Sequence, residues 1–305
     1  MKLDLSDVTI CAVDSANVAL TVRALRLSMA RCKFADAILF THATVDGAAF
    51  RIEKIPKVRS TVEYSYFCYK QLPTFINTPF VLMVQWDGYV VEPSAWSSAF
   101  REYDYIGARW PFVTDGMSVG NGGFSLRSRK FLRAVMKPRF TLDARLNSDW
   151  LICRSYRPEL EKDHGIRFAP ENVADLFSHE KVVPTAPTFG FHSLENMWRH
   201  VDDTEMFDVI RLLNAHACST ETYSRLMMAY FDLGKFELMS ALCSKMRRRI
   251  SRSKILQSIR ESAGDQARAT ECIRMCERLS PSRRLGFVRR FFGKVASLFE
   301  KSRVG

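Results

Sequence analysis

The chain has 305 residues, 47% hydrophobic and 26% charged, with 14 Gly and 11 Pro. This is the composition of a folded globular protein, and it excludes a disordered chain, a collagen and a repetitive fibre. No apolar run reaches the ~18 residues that span a bilayer. Residues 1–7 carry no signal-peptide pattern, so a cytoplasmic protein is the expectation. The eight cysteines, Cys11, Cys32, Cys68, Cys153, Cys218, Cys243, Cys272 and Cys276, are scattered and form no C-x-x-C pair. They read as buried free thiols rather than a zinc or redox motif. The formal net charge is +12, and all of it comes from residues 245–305, which hold 17 Lys/Arg against 5 Asp/Glu. The remainder is neutral, which argues against a nucleic-acid-binding main domain.

In chain order, residues 8–14 are a short apolar run that predicts a buried strand. Residues 16–31 follow helical spacing with Ser15 as a candidate cap, and residues 35–41 predict a second strand. A strand–helix–strand opening implies a parallel pair, in which ligands bind beyond the carboxyl ends of the strands. Asp14, Ser15, Thr41 and His42 stand at those ends. A helix is expected over 61–77, a buried strand over 80–86 closed by Asp87-Gly88, and a short strand over 104–107. Residues 119–126 read as a Gly-rich turn entering a strand, and residues 127–130 as the opening of a helix. A helix over 147–163, a short strand over 166–170 and the segment 189–192 complete a first domain of residues 1–200.

After residue 205 strand signals vanish and helical periodicity takes over. A weak repeat with an offset of 30 aligns Gly234–Met246 with Gly264–Cys276. A tetratricopeptide-like region over 205–281 and a plain helical bundle both fit. Residues 283–305 form an amphipathic pattern. Leu285, Val288, Phe292, Val295 and Phe299 lie on one face, with seven Lys/Arg as the complement. Such a helix suits an anionic membrane surface, and equally suits docking on protein.

Asp87 offers the strongest chemical signal, a carboxylate directly after a buried strand. It reads either as a turn cap or as a ligand for the Mg²⁺ or Mn²⁺ that neutralises a nucleoside diphosphate. His192 is a candidate second ligand, since imidazole suits Mn²⁺. The turn Asn121-Gly122-Gly123-Phe124 has little side-chain bulk, so a sugar ring can approach it closely. Asp149 is either a residue favoured by a helix dipole or a general base for an acceptor hydroxyl. P-loop and dinucleotide fingerprints are absent.

Three strings, residues 84–90 (VQWDGYV), 103–108 (YDYIGA) and 119–129 (VGNGGFSLRSR), together with residues 165–170, 177–180 and 189–192, carry a resemblance. The chain resembles, over about residues 8–195, a bacterial family of glycosyltransferase-like domains known mainly as a domain of unknown function. The resemblance implies a GT-A-like α/β fold, a Rossmann-related mixed sheet flanked by helices. It also implies a donor site at the ends of the first strands and a metal at an Asp-x-Asp-type motif. Here that motif reads Gln85-Trp86-Asp87, which retains the final Asp, the usual direct ligand, and leaves Gln85 to contact the ribose. A His late in the domain, matching His192, is implied to complete the metal site. Ser148-Asp149 stands where the family has Glu-Asp, and Arg109 where it has Pro.

The expectation is therefore a metal-dependent, inverting glycosyltransferase for a glycan or lipid-linked acceptor of cell-surface polysaccharide synthesis. Asp87 and His192 hold the cation. Asp14, Ser15, Thr41, Gln85, Asp87, Asn121, Gly122 and Gly123 bind the donor, and Asp149 is the base. The basic C-terminal helix places the enzyme at the inner face of the membrane. Two rivals are a sugar-phosphate nucleotidyltransferase, whose Gly-rich N-terminal signature residues 8–20 lack, and a non-catalytic, membrane-associated interaction module.

Overall fold

The computed structural model describes residues 1–214 and 219–278. The predicted basic helix over 283–305 and Cys218 lie outside these residues. The chain divides into two units, Met1–Met197 and Trp198–Gly305. The first is mixed α/β, with a six-stranded sheet in the order β3-β2-β1-β4-β6-β5.

Strand β1 (Leu3–Val13) and β2 (Cys32–Thr41) pair in parallel, with an irregularity between Leu5 and Thr9. Both are longer than the apolar runs of the sequence. The extra residues are half-polar, a pattern that hydrophobicity alone does not flag. Helix α1 (Val18–Arg31) joins them and runs straight into β2. Its start is set by Asp14 rather than Ser15: the Asp14 carboxylate accepts the Ala16 and Asn17 N–H groups at 2.5 and 2.7 Å and the Thr21 hydroxyl at 2.5 Å.

Strand β3 (Arg51–Lys54) adds a parallel edge that the sequence analysis does not predict. Three of its four residues, Arg51, Glu53 and Lys54, are charged, and Arg51 and Lys54 are exposed, as suits an edge strand that must not recruit another chain. Strand β4 (Phe80–Met83) pairs in parallel with β1 and antiparallel with β6 (Ser125–Ser128), and β5 (Tyr105–Gly107) pairs antiparallel with β6. Strand alternation sorts the side chains into two cores. Cys11, Val13, Ile38, Phe40, Val81 and Met83 enter one, and Ile10, Ala12, Leu39, Leu82, Ile106 and Leu126 the other.

The expected helix over 61–77 is three pieces: α2 (Thr61–Tyr66), a π-helical turn (Phe67–Gln71) and a 3₁₀ turn (Leu72–Phe75). Pro73 cannot donate to an α-helical ladder, which accounts for the last change of pitch. The helix expected over 147–163 divides similarly. Helix α4 (Ser148–Trp150) passes into a π-helical turn (Leu151–Ser155), and α5 (Arg157–His164) starts afresh with Pro158 in its first turn. The strand expected at 166–170 is reduced to a single bridge, Tyr105 with Phe168. Helix α3 (Arg129–Val135) is capped by the Ser128 hydroxyl, and α6 (Glu171–Phe177) leads into the small parallel pair β7 (Ser178–His179) and β8 (Gly190–Phe191).

The second unit is helical: α7 (Asp203–Leu212), α8 (Thr220–Asp232), α9 (Phe236–Arg247), α10 (Arg252–Ala263) and α11 (Gln266–Arg278). Gly234 and Gly264 both have left-handed φ, +67° and +70°, and each turns one helix into the next. The offset of 30 corresponds to shared burial: Met239 with Ala269, Leu242 with Cys272, Met246 with Cys276. The repeat is thus a pair of helical hairpins, α8–α9 and α10–α11. The seven described cysteines are all free and buried. Among the described residues no helix is long and apolar enough to cross a membrane.

Candidate active site

Past the carboxyl end of β4 the chain makes a two-residue hairpin. Gln85 and Gly88 exchange both backbone hydrogen bonds, at 3.0 and 3.1 Å, and Trp86 and Asp87 form the tip. Beside it the segment 119–124 enters β6 from the same edge of the sheet, and β8 delivers His192. These pieces surround a cavity of about 500 Å³, walled on its other sides by the α2 region and by residues 142–149.

His192 is the hub. Its Nδ1 lies 3.2 Å from Glu180 Oε1 and 3.2 Å from Asn121 Nδ2. Its Nε2 lies 3.1 Å from Gln85 Oε1 and 3.7 Å from Asp87 Oδ1. Burial alone would lower the imidazole pKa. The Asp87 charge, the Glu180 hydrogen bond and charge, and the Asp149 charge overcome it and lift it to about 9. Burial works the other way on Glu180, but His192, Lys181 and Asn121 hold that carboxyl below its ordinary range. Asp87 is 8% exposed, and burial pushes its carboxyl up against the opposing His192 charge. Ser193, directly after the imidazole, has φ +84°, a conformation rare outside glycine and held here by the surrounding structure.

Asp149 faces His192 across the glycine pair. Its Oδ1 accepts the Tyr69 hydroxyl at 3.0 Å and its Oδ2 the Gly122 N–H at 3.0 Å. Burial raises its carboxyl, while Arg127, the Tyr69 hydroxyl and the Gly122 N–H pull the other way. Arg127 is a correction to the sequence analysis. It lies in β6 rather than at a solvated helix start, is 2% exposed, lines the cavity and sits over the rings of Tyr69 and Tyr105.

The glycines are explained differently from the expectation that they admit a sugar. A Cβ on Gly122 would lie 2.4 Å from Asp149 Oδ1, and one on Gly123 would lie 2.1 Å from His192 Nε2. They make room for the protein's own Asp149 and His192. We expect Gly122→Ala and Gly123→Ala each to cost about 1–3 kcal/mol of stability through overpacking, read as a lower thermal midpoint, and to lower any activity of the site.

The structure brings Gln85, Asn121, Gly122, Gly123, Asp149 and His192 together on one cavity wall. Asp87 does not itself line the cavity but adjoins His192, which does. Asp14, Ser15 and Thr41 stand at the ends of β1 and β2 and are not among the lining residues. Both Asp14 oxygens are committed to the start of α1. Ser15 Oγ accepts the Val58 N–H, and Thr41 Oγ1 accepts the Ala43 N–H.

Sequence reasoning missed Glu180, Tyr64 and Tyr69 as site residues. Tyr64 binds the Gln85 amide at 2.8 Å. The spacing of Tyr64 and Cys68, and of Ser65 and Tyr69, is a helical face that would have pointed to the α2 wall. Glu180 ends one of the strings that carry the resemblance, residues 177–180, but no site role is read for it there.

A model described as protein of unknown function (DUF5672) matches residues 49–192. That segment contains every residue lining the cavity. No curated protein matches the chain. Among solved structures, the chain is similar to the apo form of the glycosyltransferase GlyE of Streptococcus pneumoniae TIGR4, with 12% identity and a TM-score of 0.38 over 66% of this chain and 57% of that one. It is also similar to a glycosyltransferase involved in glycosylation of the major capsid of PBCV-1, with 12% identity and a TM-score of 0.36 over 61% and 94%. A third is A197 from STIV, with 14% identity and a TM-score of 0.32 over 55% and 80%. The chain thus spans a little over half the length of the GlyE structure.

Proposed function

We propose that the first unit is a glycosyltransferase that moves a sugar from a nucleotide-diphosphate donor to a hydroxyl of a glycan or lipid-linked acceptor. The observation that carries this reading is the convergence of Asp149, Gln85, Glu180 and His192 on one cavity at the carboxyl edge of the sheet, with Asp87 behind His192. Ligands of open α/β sheets bind at such edges.

The residues fit a divalent cation. Asp87 Oδ1 is buried with no hydrogen-bond partner; without metal the charge that faces it is the His192 imidazolium 3.7 Å away, and a divalent cation bound between the two would displace the Nε2 proton. His192 Nε2 faces it, with Gln85 Oε1 alongside. Glu180 takes the other ring nitrogen, as a carboxylate behind a metal-bound histidine does. Among the described residues no three His, Cys, Asp or Glu side chains form a metal site by themselves, so Asp87 and His192 would share the cation with donor oxygens. Bound there, Mn²⁺ or Mg²⁺ would supply neutralisation of the leaving diphosphate.

Asp149 then takes the proton of the acceptor hydroxyl, and that oxygen attacks the anomeric carbon. The bond to the diphosphate oxygen breaks on the opposite face, so configuration inverts. Tyr69 and the Gly122 N–H hold the Asp149 carboxylate in place. Its raised pKa makes it a better base than an exposed aspartate. A role in cell-surface polysaccharide synthesis, with the C-terminal basic segment holding the enzyme to an anionic membrane, belongs to the same proposal.

The test is transfer from a panel of nucleotide sugars by the full chain with Mn²⁺. Release of nucleoside diphosphate that depends on an added acceptor supports the reading. A chain that turns over no donor with any acceptor glycan or lipid overturns it.

A further inference from the structure

A second pocket lies at the opposite edge of the sheet. Ser128 pairs with Phe80, the first residue of β4, and the Arg129 N–H bonds the Pro79 carbonyl. Helix α3 therefore begins at the end of β4 opposite the cavity. There α3 and the end of α5 enclose a groove of about 320 Å³, lined by Arg129, Lys130, Arg133, Ala134, Lys137 and His164. Five of these six side chains are basic, on a chain whose first 244 residues are electrically neutral.

The groove is lined by basic side chains and no carboxylate. An ammonium can only donate, so the Lys137 Nζ contact at 3.4 Å makes His164 Nδ1 an acceptor and leaves Nε2–H as a further donor. Asp104 is the neighbouring carboxylate, and it is already shared. It accepts the Ser128 hydroxyl at 2.5 Å, the Arg167 N–H at 2.9 Å and Lys130 at 3.5 Å. Glu159 is paired with Arg139. Arg133 and Lys137 have no carboxylate partner among the described residues. Arg129 and Arg133 are four residues apart on α3, a spacing that sets like charges against each other. Lys130 is shared with Asp104 and the Gly165 carbonyl, and Arg129 donates to the Asn77 carbonyl, so Arg133 and Lys137 are the cations of this concave surface that a ligand with several negatively charged oxygens would match.

We propose that this groove binds a phosphate group, whether free or carried by a lipid headgroup, at a site separate from the transferase cavity. The test uses the full chain without added metal. Lysines are acetylated with an N-hydroxysuccinimide ester, and labelling at Lys130 and Lys137 is measured by peptide mass spectrometry, with the exposed Lys2 as reference. Inorganic phosphate is expected to slow labelling at both positions at least threefold relative to chloride at equal ionic strength. Arg133→Glu, an exposed substitution expected to leave donor turnover unchanged, removes the protection. Protection by phosphatidylglycerol vesicles but not phosphatidylcholine vesicles, lost in the same variant, identifies the headgroup as the source. Protection by phosphate alone identifies a free phosphate ligand. Equal labelling with phosphate, chloride and both vesicles, or protection that persists in Arg133→Glu, overturns the proposal.

Discussion

Replacing Asp149 by Asn is expected to lower kcat by about 10²–10⁴-fold, the range for loss of a positioned general base, while leaving the fold and donor affinity close to those of the parent. The geometry makes this substitution informative. An amide keeps one oxygen to accept the Gly122 N–H or the Tyr69 hydroxyl, so the packing against the glycine pair survives. What is lost is the ability to take a proton. Tyr69→Phe removes only the hydrogen bond that orients the carboxylate, and its cost should be smaller, about tenfold in kcat. A thermal midpoint within a few degrees of the parent, with kcat collapsed, assigns Asp149 to chemistry. An unchanged kcat assigns it to structure.

Substitution of the cation pair gives the second large effect. Asp87→Asn and His192→Gln are each expected to weaken Mn²⁺ binding by tenfold or more, measured as free Mn²⁺ by electron paramagnetic resonance, and to reduce turnover by about 10²–10³-fold through lost stabilisation of the leaving group. Near-isosteric changes are required here. Truncating one member of a buried charged pair costs about 3–5 kcal/mol by stranding the other, and the resulting unfolding would mask the metal effect. Glu180→Gln is the companion variant. It keeps a hydrogen-bond acceptor for His192 Nδ1 but removes the charge, and the expected loss of Mn²⁺ affinity is smaller than for either ligand.

Several residues of this site stand out in the sequence by residue type and by their place after an apolar run, although their contacts are long-range. Asp87 stands out as a carboxylate closing a buried apolar run, and the hairpin from Gln85 to Gly88 brings it beside His192. Asn121, Gly122, Gly123, Asp149 and His192 all stand out in the sequence, and they meet at one cavity. The reason given for the glycines was incomplete, since sequence shows that bulk is missing but not which neighbour fills the space. The nucleoside residues Asp14, Ser15 and Thr41 follow from a rule about strand ends. That rule says where a ligand can bind, not whether a side chain is already committed, and Asp14 is committed to starting α1.

Arg127 shows the opposite failure. A run of Arg-Ser-Arg-Lys looks like a solvated helix start, yet strand alternation carries Arg127 inward, where Tyr69, Tyr105 and Asp149 accommodate its charge. The interruptions of the expected helices at 67–71 and 151–155 were equally invisible. An extra residue within a helical turn changes no hydrophobic pattern strongly, although such turns cluster at functional sites. Glu180 is brought to His192 only by the pairing of β7 with β8, a contact across a chain segment that local spacing cannot encode.

In the proposed reaction a cation held by Asp87 and His192 brings a sugar nucleotide to the cavity. The most direct measurement is calorimetric titration of the full chain with a panel of nucleotide sugars, in the presence and absence of Mn²⁺, on the parent and on Asp87→Asn. Saturable binding of at least one donor is expected, strengthened tenfold or more by Mn²⁺ and losing that gain in the variant. Heat-silent titrations under both conditions, or donor binding indifferent to both Mn²⁺ and Asp87, would contradict it.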